Sequence, residues 1–284
     1  MNYKRKLIGI TGVNGFIGSE LFNELFKAGA LIETIDGDIR YPETFDRLNY
    51  NFDYLFHFAA PSSQVLFARN PDYCSDVTLQ GFINAAEACK RTGTKLIYPS
   101  TGLLSQGKSN AYADCKRMCE MYVKARGIDA IGIRIFATYG PGEAHKRDYA
   151  SVPYLFARDI VGGKAPIIFG DGQQVRDFIY IDDVVQSIMH LAEECNDPVV
   201  DVGSGLQVSF NELIEEINYQ ASPNRTIRPL FVEKPGGYVE ETMADPSRLQ
   251  DFYMPQIGIH EGIRRVVEAL INERDTAAKG SEGA

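Results

Sequence analysis

The sequence predicts an α/β fold: a doubly wound parallel sheet followed by a smaller C-terminal α/β lobe. Three observations carry this expectation. Short, wholly apolar runs alternate with segments of helical period over the first half of the chain. A glycine turn, Gly12-Val13-Asn14-Gly15-Phe16-Ile17-Gly18, joins the first apolar run to the first helix, which makes the sheet Rossmann-type. The regular alternation breaks after Tyr139-Gly140-Pro141-Gly142.

The elements follow in order. Leu7 to Thr11 is a short apolar run ending at Gly12 and reads as a buried strand. Phe16, Ile17, Leu21, Phe22, Leu25 and Phe26 recur at helical spacing, and Gly29 ends that helix. Leu31 to Ile35 is the second strand and stops at Asp36. Tyr54 to Ala60 is the third and is closed by Pro61. A helix is expected from Tyr73 to Lys90, a strand from Lys95 to Pro99, a helix from Asn110 to Ala125 and a strand from Ala130 to Phe136. Strands that alternate with helices in this way form parallel βαβ units with helices on both faces.

Beyond Gly140, helical patterning at Val152 to Val161 leads to Pro166-Ile167-Ile168-Phe169-Gly170-Asp171-Gly172. Val175 to Ile181 follows, then a helix around Asp183 to Glu193 and a buried strand at Val199 to Val202. The expected organisation is residues 1–140 as the Rossmann domain, with a returning segment at about 178–204. Residues 141–177 and 205–275 form the lobe, and 276–284, small and polar, a disordered tail.

Composition bounds the function. The chain has 284 residues, 44% hydrophobic and 24% charged, as in an ordinary globular protein. A net charge of -9 argues against a nucleic-acid binder. No segment approaches the apolar length of a membrane span, and the basic N-terminus lacks a cleavable apolar region, so the expected location is cytoplasmic. The cysteines are Cys74, Cys89, Cys115, Cys119 and Cys195, odd in number and without metal-type spacing. They read as ordinary thiols, and no metal is expected.

Gly12, Gly15 and Gly18 have GxxGxxG spacing, which departs from the GxGxxG fingerprint but shares its physics, and the competing reading is a glycine-rich turn without a ligand. The first glycine permits the bend, the second lets backbone approach a phosphate, and the third allows close helix–strand packing. The helix start adds N–H donors and partial positive charge. Asp36, at the end of the second strand, suits both hydroxyls of an adenosine ribose and repels a 2′-phosphate, which selects NAD over NADP. The competing reading of Asp36-Gly37-Asp38 is a simple turn.

Tyr112 and Lys116 stand four residues apart, on one helix face. A nearby ammonium favours phenolate, so Tyr112 is suited to take a hydroxyl proton while hydride leaves the same carbon. Thr101, just past a strand end, is placed to hydrogen-bond the reacting oxygen. Alone, Tyr112 and Lys116 would read as a core tyrosine and a surface lysine. With the glycine turn and Thr101 they read as a site that oxidises and re-reduces an alcohol.

These residues occur within a series: TGVNGFIG (11–18), GDIR (37–40), FHFAAP (56–61), YPST (98–101), YADCK (112–116), RIFATYGPG (134–142), IIFGDGQQVRDFIYIDDV (167–184) and DVGSG (201–205). The series covers nearly the whole chain, which resembles the extended short-chain dehydrogenase/reductases of the nucleotide-sugar epimerase/dehydratase group. The resemblance implies that Gly12, Gly15, Phe16, Ile17 and Gly18 bind the NAD pyrophosphate. It implies that Asp36 holds the ribose, that Asp38 and Ile39 flank adenine, and that Ala59, Ala60 and Pro61 line the far side. Thr101, Tyr112 and Lys116 would be the catalytic trio, Lys116 also reaching the nicotinamide ribose. Phe169 would pack on the nucleotide base and Arg176 would clamp the substrate diphosphate, a role that also suits a fixed cationic fork. A domain-bridging ion pair to an aspartate is the structural alternative for Arg176. A homodimer through the two helices at 82–90 and 112–124 is implied as well.

The chain also departs from the group's patterns. Gly102 and Leu103 stand where the 4,6-dehydratases carry Asp-Glu, and the decarboxylases also carry Glu at the Leu103 place. Ala137 replaces the Asn of UDP-galactose 4-epimerases, and Lys234-Pro235-Gly236-Gly237 replaces their Arg-Pro-Gly-Asp, with Lys234 keeping the substrate-binding charge. Ser105 replaces a tyrosine. Gly142 to Arg147 is a polar, basic insertion that resembles heptose-nucleotide epimerases, and it reads as a solvated loop or as a contact to an anionic substrate. His57 reads as a packed core residue. The expected function is NAD-dependent epimerisation of a nucleotide sugar, at C4. The alternatives are a sugar-nucleotide dehydrogenase or ketoreductase, a 4,6-dehydratase and a non-catalytic NAD(H)-binding regulator.

Overall fold

The computed structural model describes residues 2–49, 52–221, 226–235 and 238–282. In chain order its elements are β1 (Leu7–Thr11), α1 (Phe16–Lys27), β2 (Leu31–Thr34), β3 (Tyr54–His57), α2 (Gln64–Arg69), α3 (Pro71–Thr92), β4 (Lys95–Thr101), α4 (Ala111–Arg126), β5 (Ala130–Ile135) and β6 (Ala137–Tyr139). They continue with α5 (Val152–Val161), β7 (Ile167–Phe169), β8 (Val175–Tyr180), α6 (Ile181–Glu194), β9 (Val199–Val202), β10 (Gln207–Ser209), α7 (Phe210–Ala221), β11 (Leu230–Val232), α8 (Ser247–Gln250) and α9 (Ile259–Glu282).

The chain divides into two compact units. The first comprises residues 1–136, 182–202 and 244–254, and the second 137–181, 203–243 and 255–284. The sequence boundaries stood at 140, at a return of 178–204 and at a lobe of 205–275. The difference at the return has a plain cause. β8 pairs antiparallel with β10 and parallel with β6 in a small sheet of its own, so residues up to Tyr180 stay in the second unit.

The first unit is a six-stranded sheet in the order β2-β1-β3-β4-β5-β9, parallel at every pairing. β9 returns to it beside β5, as its apolar sequence predicts. The chain runs outward from β1 to β2 and then back across to β3. The crevice at the C-terminal ends of β1 and β3 is therefore the switch point where such sheets collect ligands. Burial explains the strand sequences: Ile8, Ile10, Leu55, Phe56, Leu96 and Ile97 are all fully buried.

Helix boundaries follow local chemistry. The Asn70 side chain caps α3 by accepting from Tyr73 N–H, Pro71 occupies its first turn, and Gly93 ends it at φ 74. Asn110 caps α4, accepting from Ala113 N–H at 2.9 Å. The second unit holds the β10-β8-β6 sheet, the parallel pair β11-β7 and the mutually packed helices α5, α7 and α9. α9 continues through Thr276 to Glu282, where the sequence reading placed a disordered tail at 276–284. Ala277, Ala278 and Lys279 are good helix formers and extend the preceding turns. Residues 283 and 284 lie outside the described residues.

Candidate active site

The glycine turn is shaped by backbone proximity. Gly12 has φ +72, and a Cβ there would stand 2.6 Å from the Ala59 nitrogen. A Cβ on Gly18 would stand 2.1 Å from the Gly12 carbonyl oxygen, and one on Gly15 would meet the same oxygen at 3.2 Å. The turn closes through Gly15 N–H donating to Gly12 O at 2.9 Å. Gly15 is the N-cap of α1, so no capping side chain from it competes for the first helical N–H groups. Phe16, Ile17 and Gly18 form that first turn. The loop after β3 lies against the same turn, since Ala59 N–H donates to Thr11 Oγ1 at 3.1 Å, and it carries Ala60 and Pro61. A side-chain-free cradle at a helix start, facing a second loop at the switch point, fits a dinucleotide pyrophosphate.

At the end of β2 the Asp36 carboxylate is exposed and accepts from Thr34 Oγ1 at 3.3 Å. Arg40 is the nearby cation that a 2′-phosphate would need, yet it is tied to Asp38 at 2.5 Å and to Asp76 at 3.1 Å. Those two carboxylates occupy the guanidinium, which agrees with NAD rather than NADP. Asp38 therefore has an ion-pair partner, and Ile39 is buried against α3, its carbonyl accepting from Asn84 Nδ2 at 3.0 Å.

Thr101, Tyr112 and Lys116 come together in the first unit. Thr101 is the last residue of β4 and is 5% exposed. Its hydroxyl faces the Tyr112 phenol and pulls the phenol pKa down against the larger effect of burial, and the balance stands at about 12. The Phe67 ring packs edge-on against Tyr112 at 5.4 Å. Lys116 is 5% exposed, and desolvation lowers its pKa. It borders a small cavity together with His57 and Thr78, and the buried Thr78 Oγ1 has no hydrogen-bond partner among the described residues.

His57 is a core residue with defined chemistry. Its Nδ1 is 3.0 Å from Thr11 Oγ1, and burial, reinforced by the Lys116 charge, pushes its pKa down to about 3. The ring stays neutral.

Position 102 is closed to side chains. A Cβ on Gly102 would lie 2.7 Å from the Phe136 ring, and Leu103 and Leu104 are buried beside it. The segment after Thr101 is apolar, without acid–base groups at these positions. Ser105 donates to Asp201 Oδ1 at 2.6 Å.

In the second unit, Phe169, Arg176 and Lys234 gather around a residue that sequence reasoning missed. The Tyr238 ring lies 5.8 Å from the Phe169 ring and 5.6 Å from the Arg176 guanidinium. Phe210 flanks the same guanidinium at 5.4 Å. Among the described residues, Arg176 donates to the carbonyls of Val175, Val239 and Glu240. The cation is desolvated and held between aromatic faces, and its pKa is lowered by burial. Lys234 pairs with Glu240 at 2.7 Å and its Cε–Nζ end lies over Gly170. Tyr238 follows a Pro-Gly-Gly stretch whose only sequence signal is a turn, and Gly236 and Gly237 lie outside the described residues.

The loop at Gly142 to Arg147 is anchored internally. Glu143 is fully buried and accepts from Ser151 N–H at 2.8 Å, Ser151 Oγ at 2.6 Å and Lys146 Nζ at 2.7 Å. All five cysteines are free and buried. Among the described residues no group of His, Cys, Asp and Glu is arranged to hold a metal, and no helix is long and apolar enough to cross a membrane.

Comparison with known proteins gives the family and the fold. The model of the NAD dependent epimerase/dehydratase family matches residues 8–203. A putative UDP-glucose 4-epimerase of Methanocaldococcus jannaschii is 26% identical, the match covering 95% of this chain and 100% of that one. UDP-glucuronic acid decarboxylase 1 of Arabidopsis thaliana is 24% identical over 95% of this chain and 71% of that one. Among solved structures, the UDP-N-acetylglucosamine 4-epimerase from Methanobrevibacter ruminantium M1, in complex with UDP-N-acetylmuramic acid, superposes with a TM-score of 0.86 at 25% identity. That match covers 95% of this chain and 99% of that one.

Proposed function

For a chain that belongs to the NAD dependent epimerase/dehydratase family and is an enzyme of the extended short-chain dehydrogenase/reductase type, we propose epimerisation of a nucleotide sugar at C4. The observation that carries this reading is the intact Thr101–Tyr112–Lys116 set beside a segment without acid–base side chains at Gly102 and Leu103. The trio handles one hydroxyl proton. Water loss and decarboxylation use further groups at those two places.

In this reading Gly12, Gly15, Phe16, Ile17 and Gly18 hold the NAD pyrophosphate, with Asp36 on the ribose, Asp38 and Ile39 by adenine, and Ala59 to Pro61 on the far side. NAD bound there supplies a hydride acceptor that returns the hydride without net redox change. Tyr112 removes the sugar hydroxyl proton and later returns it. Lys116, as ammonium, favours the phenolate and offsets the burial that otherwise holds the phenol protonated. Thr101 hydrogen-bonds and orients the reacting oxygen. Arg176 is the proposed diphosphate clamp: its guanidinium is already desolvated and fixed between rings, so little further ordering is lost on binding. Phe169 packs on the base, and Lys234 contributes charge. The working form is proposed to be a cytoplasmic homodimer through α3 and α4, where Tyr73, Met118 and Met121 are exposed.

The test is a panel of UDP-, GDP-, dTDP- and ADP-sugars. Isomerisation of at least one, without accumulation of NADH, is expected. If none is isomerised while one is stoichiometrically oxidised or reduced, the dehydrogenase reading replaces this one.

A further inference from the structure

Glu120 lies four residues beyond Lys116, on the α4 face that already carries Tyr112 and Lys116. Its carboxylate joins three elements. It accepts from Ser100 Oγ at 2.6 Å and from Arg134 through Nε at 2.9 Å and Nη2 at 2.7 Å. Ser100 immediately precedes Thr101 on β4 and is directly registered with Arg134 on β5. One side chain thus ties the helix bearing Tyr112 to the strand bearing Thr101 and to its neighbour. The side chains of Glu120 and Arg134 are only 12% and 26% exposed, so solvent screens the pair weakly. The hydrogen bond to Glu120 holds the Arg134 guanidinium above its ordinary pKa. Arg134 Nη1 also reaches Ser105 Oγ at 3.4 Å, and Ser105 donates to Asp201 on β9. The segment after Thr101 is tied into the same network.

The buried face of α4 is formed by Ala113, Cys115, Lys116, Cys119 and Val123, and apolar contact among such groups is not directional. A two-point guanidinium–carboxylate contact plus a buried hydroxyl fixes both height and rotation. We propose that Glu120 is a positioning residue for the reaction: with Arg134 and Ser100 it sets the register of α4 against β4, so that the Tyr112 phenol meets the Thr101 hydroxyl. The proposal rests on the catalytic reading of that trio.

The test compares Glu120→Ala, Glu120→Gln, Arg134→Lys and Ser100→Ala with the wild-type enzyme. Displacement of the phenol by ~1 Å lowers turnover by up to ~100-fold. In Glu120→Ala, kcat is expected to fall about 10- to 100-fold, while KM for the nucleotide sugar stays within about twofold. Ser100→Ala, which keeps the ion pair, gives a smaller fall. The acid limb of kcat moves to higher pH in both, because the Thr101 hydroxyl that lowers the phenol pKa no longer faces it squarely. The groups facing Tyr112 are Thr101 from β4, the Phe67 ring from α2, Cys74 from α3 and Cys115 from its own helix, with Lys116 one turn further on and His57 of β3 beside Lys116, and none of these is altered. Glu120→Ala/Arg134→Ala is expected to be no worse than Glu120→Ala, as for residues acting as one unit.

Variants that melt lower yet keep wild-type kcat and acid limb overturn the proposal and leave the network a structural brace. Should Glu120→Ala fail to fold, Ser100→Ala and Arg134→Lys decide the question by the same two readouts. A wild-type enzyme inactive on every nucleotide sugar would sink the functional reading instead. The positioning by Glu120 is then read directly on NAD-loaded protein by ¹³Cζ-tyrosine NMR, with the signal assigned by Tyr112→Phe. A transition at higher pH in Ser100→Ala supports it, and an unmoved one refutes it.

Discussion

Replacing Gly18 with alanine puts a methyl group where the chain leaves no room for it. The new Cβ would stand 2.1 Å from the Gly12 carbonyl oxygen, 2.9 Å from its carbon and 3.3 Å from Val13 Cα, all backbone atoms that cannot rotate away. Relief requires the turn and the helix start to separate by about 1.3 Å, the shortfall from ordinary van der Waals contact. Alanine would otherwise gain up to ~1 kcal/mol over glycine inside a helix. Overpacking of rigid backbone costs ~1–3 kcal/mol, so the net change is expected to be destabilising. At about 2–4 °C per kcal/mol for a chain of this size, the melting temperature falls by a few degrees. The larger effect is on the cofactor. The first N–H groups of α1 move relative to Gly12, and the Kd for NAD is expected to rise at least about tenfold, or ~1.4 kcal/mol. Differential scanning fluorimetry and titration calorimetry with NAD measure both. Gly258→Ala is the control, because a Cβ there meets nothing within 4 Å. Wild-type melting and wild-type NAD affinity in Gly18→Ala would refute the argument that backbone contact is why glycine stands there.

Three further outcomes follow from the same structure. His57 takes up a proton below about pH 6.5 when the chain is unfolded, but only near pH 3 when folded. Stability present above pH 6.5 is therefore lost as pH falls through that window, by up to about 1.4 kcal/mol per pH unit. Urea titrations at several pH values should show a flatter slope for His57→Gln, and equal slopes would refute the buried neutral ring. Arg176→Ala is expected to raise KM for the nucleotide sugar at least about tenfold, and Arg176→Lys to recover little of it, since an ammonium lacks the planar fork that stacks between Phe210 and Tyr238. A wild-type KM in either variant removes Arg176 from substrate binding. Met118 and Met121 are 53% and 63% exposed on α4. Met121→Glu should convert a dimer to a monomer in sedimentation velocity, whereas a monomeric wild-type protein would dispose of the proposed interface.

Much of the fold was legible because its strands are buried on both faces. Continuous apolar runs such as Leu7–Thr11 and Tyr54–His57 leave little choice but a covered parallel sheet. The glycine turn, Asp36 and the Tyr112–Lys116 spacing were legible for a similar reason, since each is a local pattern whose meaning lies within a few residues. The three-stranded sheet of the second unit was not. β6, β8 and β10 are three to six residues long and come from distant parts of the chain, so no local period marks their pairing.

The sequence by itself determined the doubly wound sheet, the glycine turn proposed to hold the pyrophosphate and the positions of the proposed catalytic trio, because covalent spacing sets helix face and strand end. Only the tertiary structure decided what surrounds them. Gly102 is glycine because the Phe136 ring fills the space beside it. Arg40 offers no free charge to a 2′-phosphate because Asp76, far along the chain, takes it. Tyr238 joins Phe169 and Arg176, and Glu120 ties Tyr112's helix to Thr101's strand. Each of these depends on which distant groups are brought within a few ångströms, and spacing along the chain carries no record of that.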